Sequence, residues 1–176
     1  AAEEFRDWVE ALGIPVISTW NALDLLPYNH PLYVGRPGVV ALRGPNFAVQ
    51  NCDLLISIGC RLDNVITAFN PRGFARVAKK VVVDIDQNEI DKLDMDIAIS
   101  ITSDAGEFIK SVAGIKSLTC LDWKEWQSRC NDWKNRYSIN EGVPFSQTGT
   151  ISHYQLVDAL SEAIPEHTLI STGSSG

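Results

Sequence analysis

Apolar positions along the chain fall into two rhythms, and their alternation outlines a fold. Phe5, Val9 and Leu12 recur at helical spacing, Gly13 stops the run, and Ile14-Pro15-Val16-Ile17-Ser18 follows as a β-branched stretch. Helix, glycine stop and strand are expected in that order. Residues 19–26 predict a short helix, and Pro31, Gly35, Pro37 and Gly38 predict a long loop over 27–44. Pro45 suits the first turn of a helix through Phe47, Val49 and Cys52, because its missing N–H has no intrahelical partner there. The apolar run Leu54–Ile58 predicts a strand, a short helix is expected near 74–77, and Lys80-Val81-Val82-Val83-Asp84-Ile85-Asp86 predicts a further strand. Such continuous apolar strands imply burial on both faces, as in a parallel sheet with helices on each side.

The same alternation continues downstream. Asp86-x-x-Glu89 and Asp104-x-x-Glu107 have the spacing of helix caps, and between them 96–101 alternates as a strand. Phe108, Ile109 and Val112 continue the second helix. Helix and strand following each other this regularly favour an α/β class with a doubly wound, Rossmann-like parallel sheet. Past a connector at 114–119, Trp123, Trp126, Cys130, Trp133 and Tyr137 recur three and four apart, one aromatic stripe for core or interdomain packing. A polar linker occupies 138–149. Ser152-x-x-Gln155 then caps a helix bearing Leu156, Leu160 and Ile164, and 167–171 predicts a strand before the small-residue turn 172–176. The expected organisation is a nucleotide-binding-type domain over 1–114, a linker with an aromatic-striped helix over 115–150, and the start of a truncated second domain over 151–176.

Composition narrows the partners. The 176 residues carry a formal net charge of −7, with Lys and Arg scattered, so no basic footprint for nucleic acid exists. No apolar run approaches the roughly 18 residues that would span a bilayer, and the start lacks a signal-like pattern, so a cytoplasmic protein without a membrane partner is expected. Cys52, Cys60, Cys120 and Cys130 form no C-x-x-C pair, and His30, His153 and His167 lie far apart. No metal site is expected, and the cysteines are expected to be reduced thiols.

In open parallel sheets, ligands lie beyond the carboxyl ends of the strands. That rule selects Thr19 and Asn21, Gly59 to Asp63, Asp84 to Asp86, and Asp104, all facing one crevice. Gly59 would allow close backbone approach, Arg61 would offer its N–H fork to a phosphate, and Asp84 would accept ribose hydroxyls, although a strand-end Asp is also a common helix cap. No G-x-G-x-x-G, P-loop or G-x-S-x-G motif is present.

Taken in order, Ile14-Pro15-Val16-Ile17-Ser18-Thr19, His30-Pro31-Leu32-Tyr33-Val34-Gly35-Arg36-Pro37-Gly38, Asp53-Leu54-Leu55-Ile56-Ser57-Ile58-Gly59-Cys60-Arg61-Leu62-Asp63, Val83-Asp84-Ile85-Asp86-Gln87-Asn88-Glu89-Ile90 and residues 96–104 resemble the central domain of thiamine diphosphate enzymes. The likeness is greatest to the large subunit of acetolactate synthase and related carboligases. It covers about residues 1–114, while 152–176 resembles the opening helix and strand of that family's diphosphate-binding domain. The resemblance implies a six-stranded parallel sheet that holds FAD in acetolactate synthases, ADP in some relatives and nothing in others.

By that resemblance Thr19, Trp20, Asn21 and Ala22 would meet the flavin, and Pro37, Gly38, Val39 and Val40 would lie along the cofactor. Gly59, Cys60, Arg61, Leu62 and Asp63 would wrap the phosphate or ribityl region, and Asp84, Ile85, Asp104 and Ala105 would flank the adenosine. Gly173 and Ser174 would stand near a diphosphate-contacting turn. The chain has Gly38-Val39-Val40-Ala41 where acetolactate synthases show Gly-Met-His-Gly, and Arg61-Leu62-Asp63-Asn64-Val65 where they show Arg-Phe-Asp-Asp-Arg. The resemblance further implies a parent enzyme using thiamine diphosphate and Mg2+, held mostly by N- and C-terminal domains outside this chain. That parent would act on a 2-oxo acid as a homodimer or tetramer, and the fragment alone would be inactive. Two other readings are a sirtuin-like NAD-binding deacylase, whose C-x-x-C pairs and His-Gly are absent, and a non-catalytic nucleotide-binding module.

Overall fold

Glycine stops, acidic caps and β-branched runs place most elements where the pattern expects them. The computed structural model describes residues 2–115 and 122–171. Helix α1 (Ala2–Leu12) ends as Gly13 takes a left-handed φ of 67° and leads into β1 (Val16–Ile17). Then come β2 (Tyr33–Gly35), α2 (Arg43–Asn51), β3 (Leu54–Ile58), β4 (Lys79–Asp84), α3 (Gln87–Asp91), β5 (Ile99–Thr102) and α4 (Ala105–Ala113). The aromatic-striped helix is α5 (Lys124–Arg136), and α6 (His153–Ala163) follows the linker.

All strand pairs are parallel. Strand β1 pairs with β2, and β3, β4 and β5 form a second sheet in that order, with Ile56 opposite Val81 and Val81 opposite Ile99. The six-stranded sheet is therefore represented, among the described residues, by five strands in two sheets. Strand β1 is two residues long and its register shifts between Val16 and Ile17, so the ladder stops there. Side chains bridge the gap instead: Ile58 of β3 packs against the cluster that holds Val16, and Ile17 of β1 packs against the cluster that holds Val49 and Val82.

Helices cover both faces. Trp8, Val9, Val16, Leu26 and Tyr33 form one buried cluster, with Ile58 and Val112 against it. Val49, Leu62, Ile66, Phe74, Val82 and Ile90 form another. Each fully buried valine of this kind, such as Val82 and Val83, contributes about 1.5–3 kcal/mol. Helix α5 lays its stripe against α2 and β2: Cys130 packs with Val34 and Ala48, and Trp126 and Trp133 meet edge to face at 5.7 Å. Lys134 reinforces the seam by donating to the Tyr33 carbonyl at 2.7 Å, its pKa lowered by burial.

Several expectations need correction. The helix over 19–26 shrinks to one 3-10 turn, Trp20–Ala22, because Thr19 makes no side-chain cap and Pro27 closes the segment. The loop over 27–44 contains β2, three residues too short and too close to Pro31 and Pro37 to show as a run. Pro45 is the third residue of α2, still within the first turn whose N–H groups lack intrahelical acceptors. Near 74–77 the helix is displaced to a 3-10 turn, Pro71–Gly73, capped by the Asn70 carboxamide. Strand β3 is half exposed, with Leu54 47% accessible, since it is the edge of its sheet. Strand β5 begins at Ile99 rather than 96. Residues 168–171 form no strand: they have no ladder partner, and Leu169 is 96% exposed.

Candidate functional site at the strand ends

Because every strand runs the same way, five carboxyl ends share one edge. At the end of β1, the buried Ser18 hydroxyl bonds the Tyr33 hydroxyl at 2.9 Å, and its N–H donates to the Gly35 carbonyl. Beyond it the Arg36 guanidinium lies 4.2 Å from the Trp20 ring centroid. Segments 19–22 and 36–40 are thereby brought together.

The loop after β2 is tied to the loop after β3. Gly38 donates to the Asn46 carboxamide oxygen at 2.8 Å, and the Asn46 amide donates back to the Gly38 carbonyl at 2.9 Å. Val39 N–H then reaches the Val65 carbonyl at 3.0 Å. Gly38 has φ 119°, and a Cβ there would stand 2.5 Å from that same carbonyl, so only glycine fits. Pro37 is buried, whereas Val39 and Val40 are exposed on the edge. Asp63 accepts from Val65 and Ile66 N–H at 2.9 and 3.0 Å, so it caps its own turn.

After β3, Gly59 turns left-handed with φ 57°, its N–H on the Val83 carbonyl at 2.9 Å, and a Cβ there would lie 3.3 Å from Ala105 Cβ. The start of α4 thus closes on the β3 turn. Leu62, buried, holds φ 50°, a strained conformation for a bulky side chain of the kind concentrated at ligand-facing loops. Cys60 lies between the strand ends, beside Thr19. Burial pushes its thiol pKa up against hydrogen bonding from the Leu62 N–H, which disfavours the thiolate that a nucleophile needs. The neighbouring Ser57 hydroxyl is buried beside the Cys60 thiol.

The acidic positions are partly occupied. Asp104 caps α4 by accepting from Gly106 and Glu107 N–H at 2.8 and 3.1 Å. Asp84 takes the Asp86 N–H on one oxygen at 3.0 Å, which leaves acceptor capacity on the other. Ile85 is 71% exposed beside it. Arg61 rests its Nε–H on Glu89 at 3.1 Å while most of its side chain faces solvent. Asn21 is exposed and Ala22 N–H closes the 3-10 turn on the Thr19 carbonyl. Gly173 and Ser174 lie outside the described residues.

Arg36, Asn46 and Glu89 are parts of this edge that the motif reading passed over. Arg36 lies inside Gly35-Arg36-Pro37-Gly38, and Glu89 lies at cap spacing from Asp86 within the Val83–Ile90 stretch. Asn46 had no signal, since its partner is eight residues away on a loop. Two clefts of ≈ 410 and ≈ 460 Å³ lie away from the edge, one beside the α5 tryptophans and one between α1 and the 23–30 segment.

Chemically, the edge offers a free arm of guanidinium, a glycine turn for close approach, and carboxylate acceptor capacity at Asp84, a set that fits a phosphate-bearing nucleoside. The exposed Val39 and Val40, on the same loop as the Arg36 that stacks on Trp20, add apolar surface for a planar ring. No group of three or more His, Cys, Asp or Glu side chains that could hold a metal exists among the described residues, so nothing here fits Mg2+. Nor is any described helix long and apolar enough to cross a membrane.

Parallel strands whose terminal loops converge on one edge define an α/β domain of the nucleotide-binding type. Residues 1–112 match the family described as thiamine pyrophosphate enzyme, central domain, and the chain belongs to that family. It is similar to the acetolactate synthase large subunit of Corynebacterium glutamicum, 39% identical over 141 residues, covering 78% of this chain and 22% of the relative. A probable acetolactate synthase large subunit of Methanocaldococcus jannaschii is 35% identical over 135 residues, covering 76% and 22%. The chloroplastic acetolactate synthase 2 of Nicotiana tabacum is 31% identical over 178 residues, covering 98% and 26%. The chain spans between 22% and 29% of the length of such relatives.

Proposed function

We propose that this chain is the central part of a thiamine diphosphate-dependent carboligase or decarboxylase acting on 2-oxo acids, of the acetolactate synthase type. The match over residues 1–112 supports that reading, as do the relatives' names. Thiamine diphosphate, anchored through Mg2+ by the neighbouring domains, would supply the nucleophile for that chemistry when bound. This chain contributes the scaffold that separates and orients the neighbouring domains. Residues 1–114 form the central domain, 115–150 the linker with α5, and 151–176 the opening of the diphosphate-binding domain. The exposed apolar side chains of α6, Tyr154, Val157 and Leu160 among them, are what an element awaiting the rest of its own core presents. The assembled enzyme is a cytoplasmic homodimer or tetramer.

The strand-end edge is the nucleotide face of the domain. Thr19, Trp20 and Val39 flank its ring end, Gly59 and Arg61 its phosphate region, and Asp84 and Ala105 its ribose end. The convergence of these segments through the Gly38–Val65, Trp20–Arg36 and Gly59–Ala105 contacts is the observation that carries the reading. Calorimetric titration of the purified chain with FAD and with ADP tests it. Saturable binding of either is expected, and binding of FAD with perturbed flavin absorbance would place the ring on the Trp20 side. Indifference to both would reduce the edge to a structural seam.

A further inference from the structure

Arg61 is the cation that the strand-end edge holds out to a phosphate, yet it already has an anion. Its Nε–H donates to Glu89 Oε2 at 3.1 Å across 28 residues of sequence, from the β3 turn to α3. The same oxygen receives the Lys92 ammonium. Glu89 is the least exposed of the three, at 28% for its side chain against 72% for Arg61 and 46% for Lys92. Lys92 first, and then Arg61, hold its carboxyl below the usual carboxylate range. A single charged carboxylate is thus embedded between two cations on the rim beside Gly59. Arg61 engages it through Nε alone, which leaves the two terminal nitrogens without a hydrogen-bond partner among the described residues.

We propose that Glu89 sets the affinity of the strand-end edge for phosphate-bearing ligands, by standing in for the phosphate on Arg61. The inference rests on the nucleotide reading of that edge. A ligand phosphate arriving at Arg61 shares the guanidinium with Glu89 or displaces it, and either way gives up part of the existing ion pair. Glu89 therefore selects against weakly held anions, such as free phosphate, that bring no other contact. It tolerates nucleotides that also reach Asp84 and the apolar rim. Removing the charge while keeping the shape releases the Arg61 guanidinium.

The test is a cycle of Glu89→Gln, Arg61→Ala and the double variant in the full chain, titrated with ADP and with inorganic phosphate at low and high NaCl. Glu89→Gln is expected to tighten ADP binding about fivefold at low salt, within the range of exposed charge pairs. That gain shrinks at 0.5 M NaCl, where such charges are screened. It vanishes when Arg61 is already Ala, because the effect passes through the guanidinium. Equal far-UV circular dichroism and equal urea midpoints establish that the variants fold alike. ADP binding unchanged or weakened by Glu89→Gln, or a gain that survives in the Arg61→Ala background, overturns the proposal while leaving the nucleotide reading intact. If neither the native chain nor Glu89→Gln binds ADP or FAD, the nucleotide reading fails and this inference falls with it.

Discussion

Replacing Gly38 by Ala probes the joint that holds the strand-end loops together. The position sits at φ 119°, where an L residue carries a strain of about 1–3 kcal/mol. The added Cβ would also stand 2.5 Å from the Val65 carbonyl oxygen and 3.3 Å from Ile66 Cα, both backbone, so the two loops must part. Parting them breaks the Val39–Val65 hydrogen bond, about 1 kcal/mol net. The sum is a destabilisation of about 3 kcal/mol. With a urea slope of about 2 kcal/mol/M, the equilibrium midpoint falls by roughly 1.5 M. Gly59→Ala provides the comparison. Its φ of 57° lies in the left-handed well that other residues visit at about 1–2 kcal/mol, and its Cβ meets only the Ala105 methyl at 3.3 Å. Its midpoint is expected to fall by about half as much. A Gly38→Ala midpoint within about 0.3 M of the native one, or a larger loss for Gly59→Ala, would refute the loop geometry and the coupling built on it.

Two further outcomes follow from individual groups. Burial pushes the Cys130 thiol from its ordinary 9.0 up to about 12, so above pH 9 the folded chain keeps a proton that the unfolded chain loses. Stability is full below pH 9 and falls as pH rises toward 12, by about 1.4 kcal/mol at pH 10 from this group. Urea midpoints at pH 8 and pH 10 should show that slope reduced in Cys130→Ala, and an identical slope would contradict the buried thiol. Asp84→Ala is expected to weaken ADP about tenfold, as loss of one or two ribose hydrogen bonds does, with little change in the urea midpoint. Unchanged affinity would leave Asp84 as the cap of its own turn.

Much of this architecture could be read from residue pattern because the relevant forces are local. Gly13 ends α1, Asp86 and Asp104 cap α3 and α4, Ser152 accepts the Gln155 N–H of α6, and the stripe from Trp123 to Tyr137 is helical. Caps and periodicity depend on neighbours within four residues, so no tertiary knowledge is needed. Strand β2 escaped because its three residues are stabilised by pairing with β1 and by the covering α5. The strand expected over 167–171 failed for the converse reason: β-branched residues without a partner strand stay irregular.

At the candidate site, the segments were legible and their ties were not. Thr19, Gly59 and Asp84 could be selected as strand-end positions, and Gly38 came only with the family resemblance. The Arg36–Trp20 stack, the Asn46 clamp on Gly38 and the Glu89 grip on Arg61 are contacts between segments that only the fold brings together. Asp63 and Asp104, selected as possible ligand contacts, spend one oxygen each on capping their own turns.

On the proposed reading this chain is part of a thiamine diphosphate-dependent enzyme acting on 2-oxo acids, and one measurement bears on that most directly. A protein comprising this chain with its flanking domains, supplied with thiamine diphosphate, Mg2+ and pyruvate, should release CO2 and form a new carbon–carbon bond. Both products should disappear when either cofactor is withheld. Absence of thiamine-dependent CO2 release from pyruvate and from 2-oxobutyrate, in a protein shown to bind thiamine diphosphate, would contradict the assignment to 2-oxo acid chemistry.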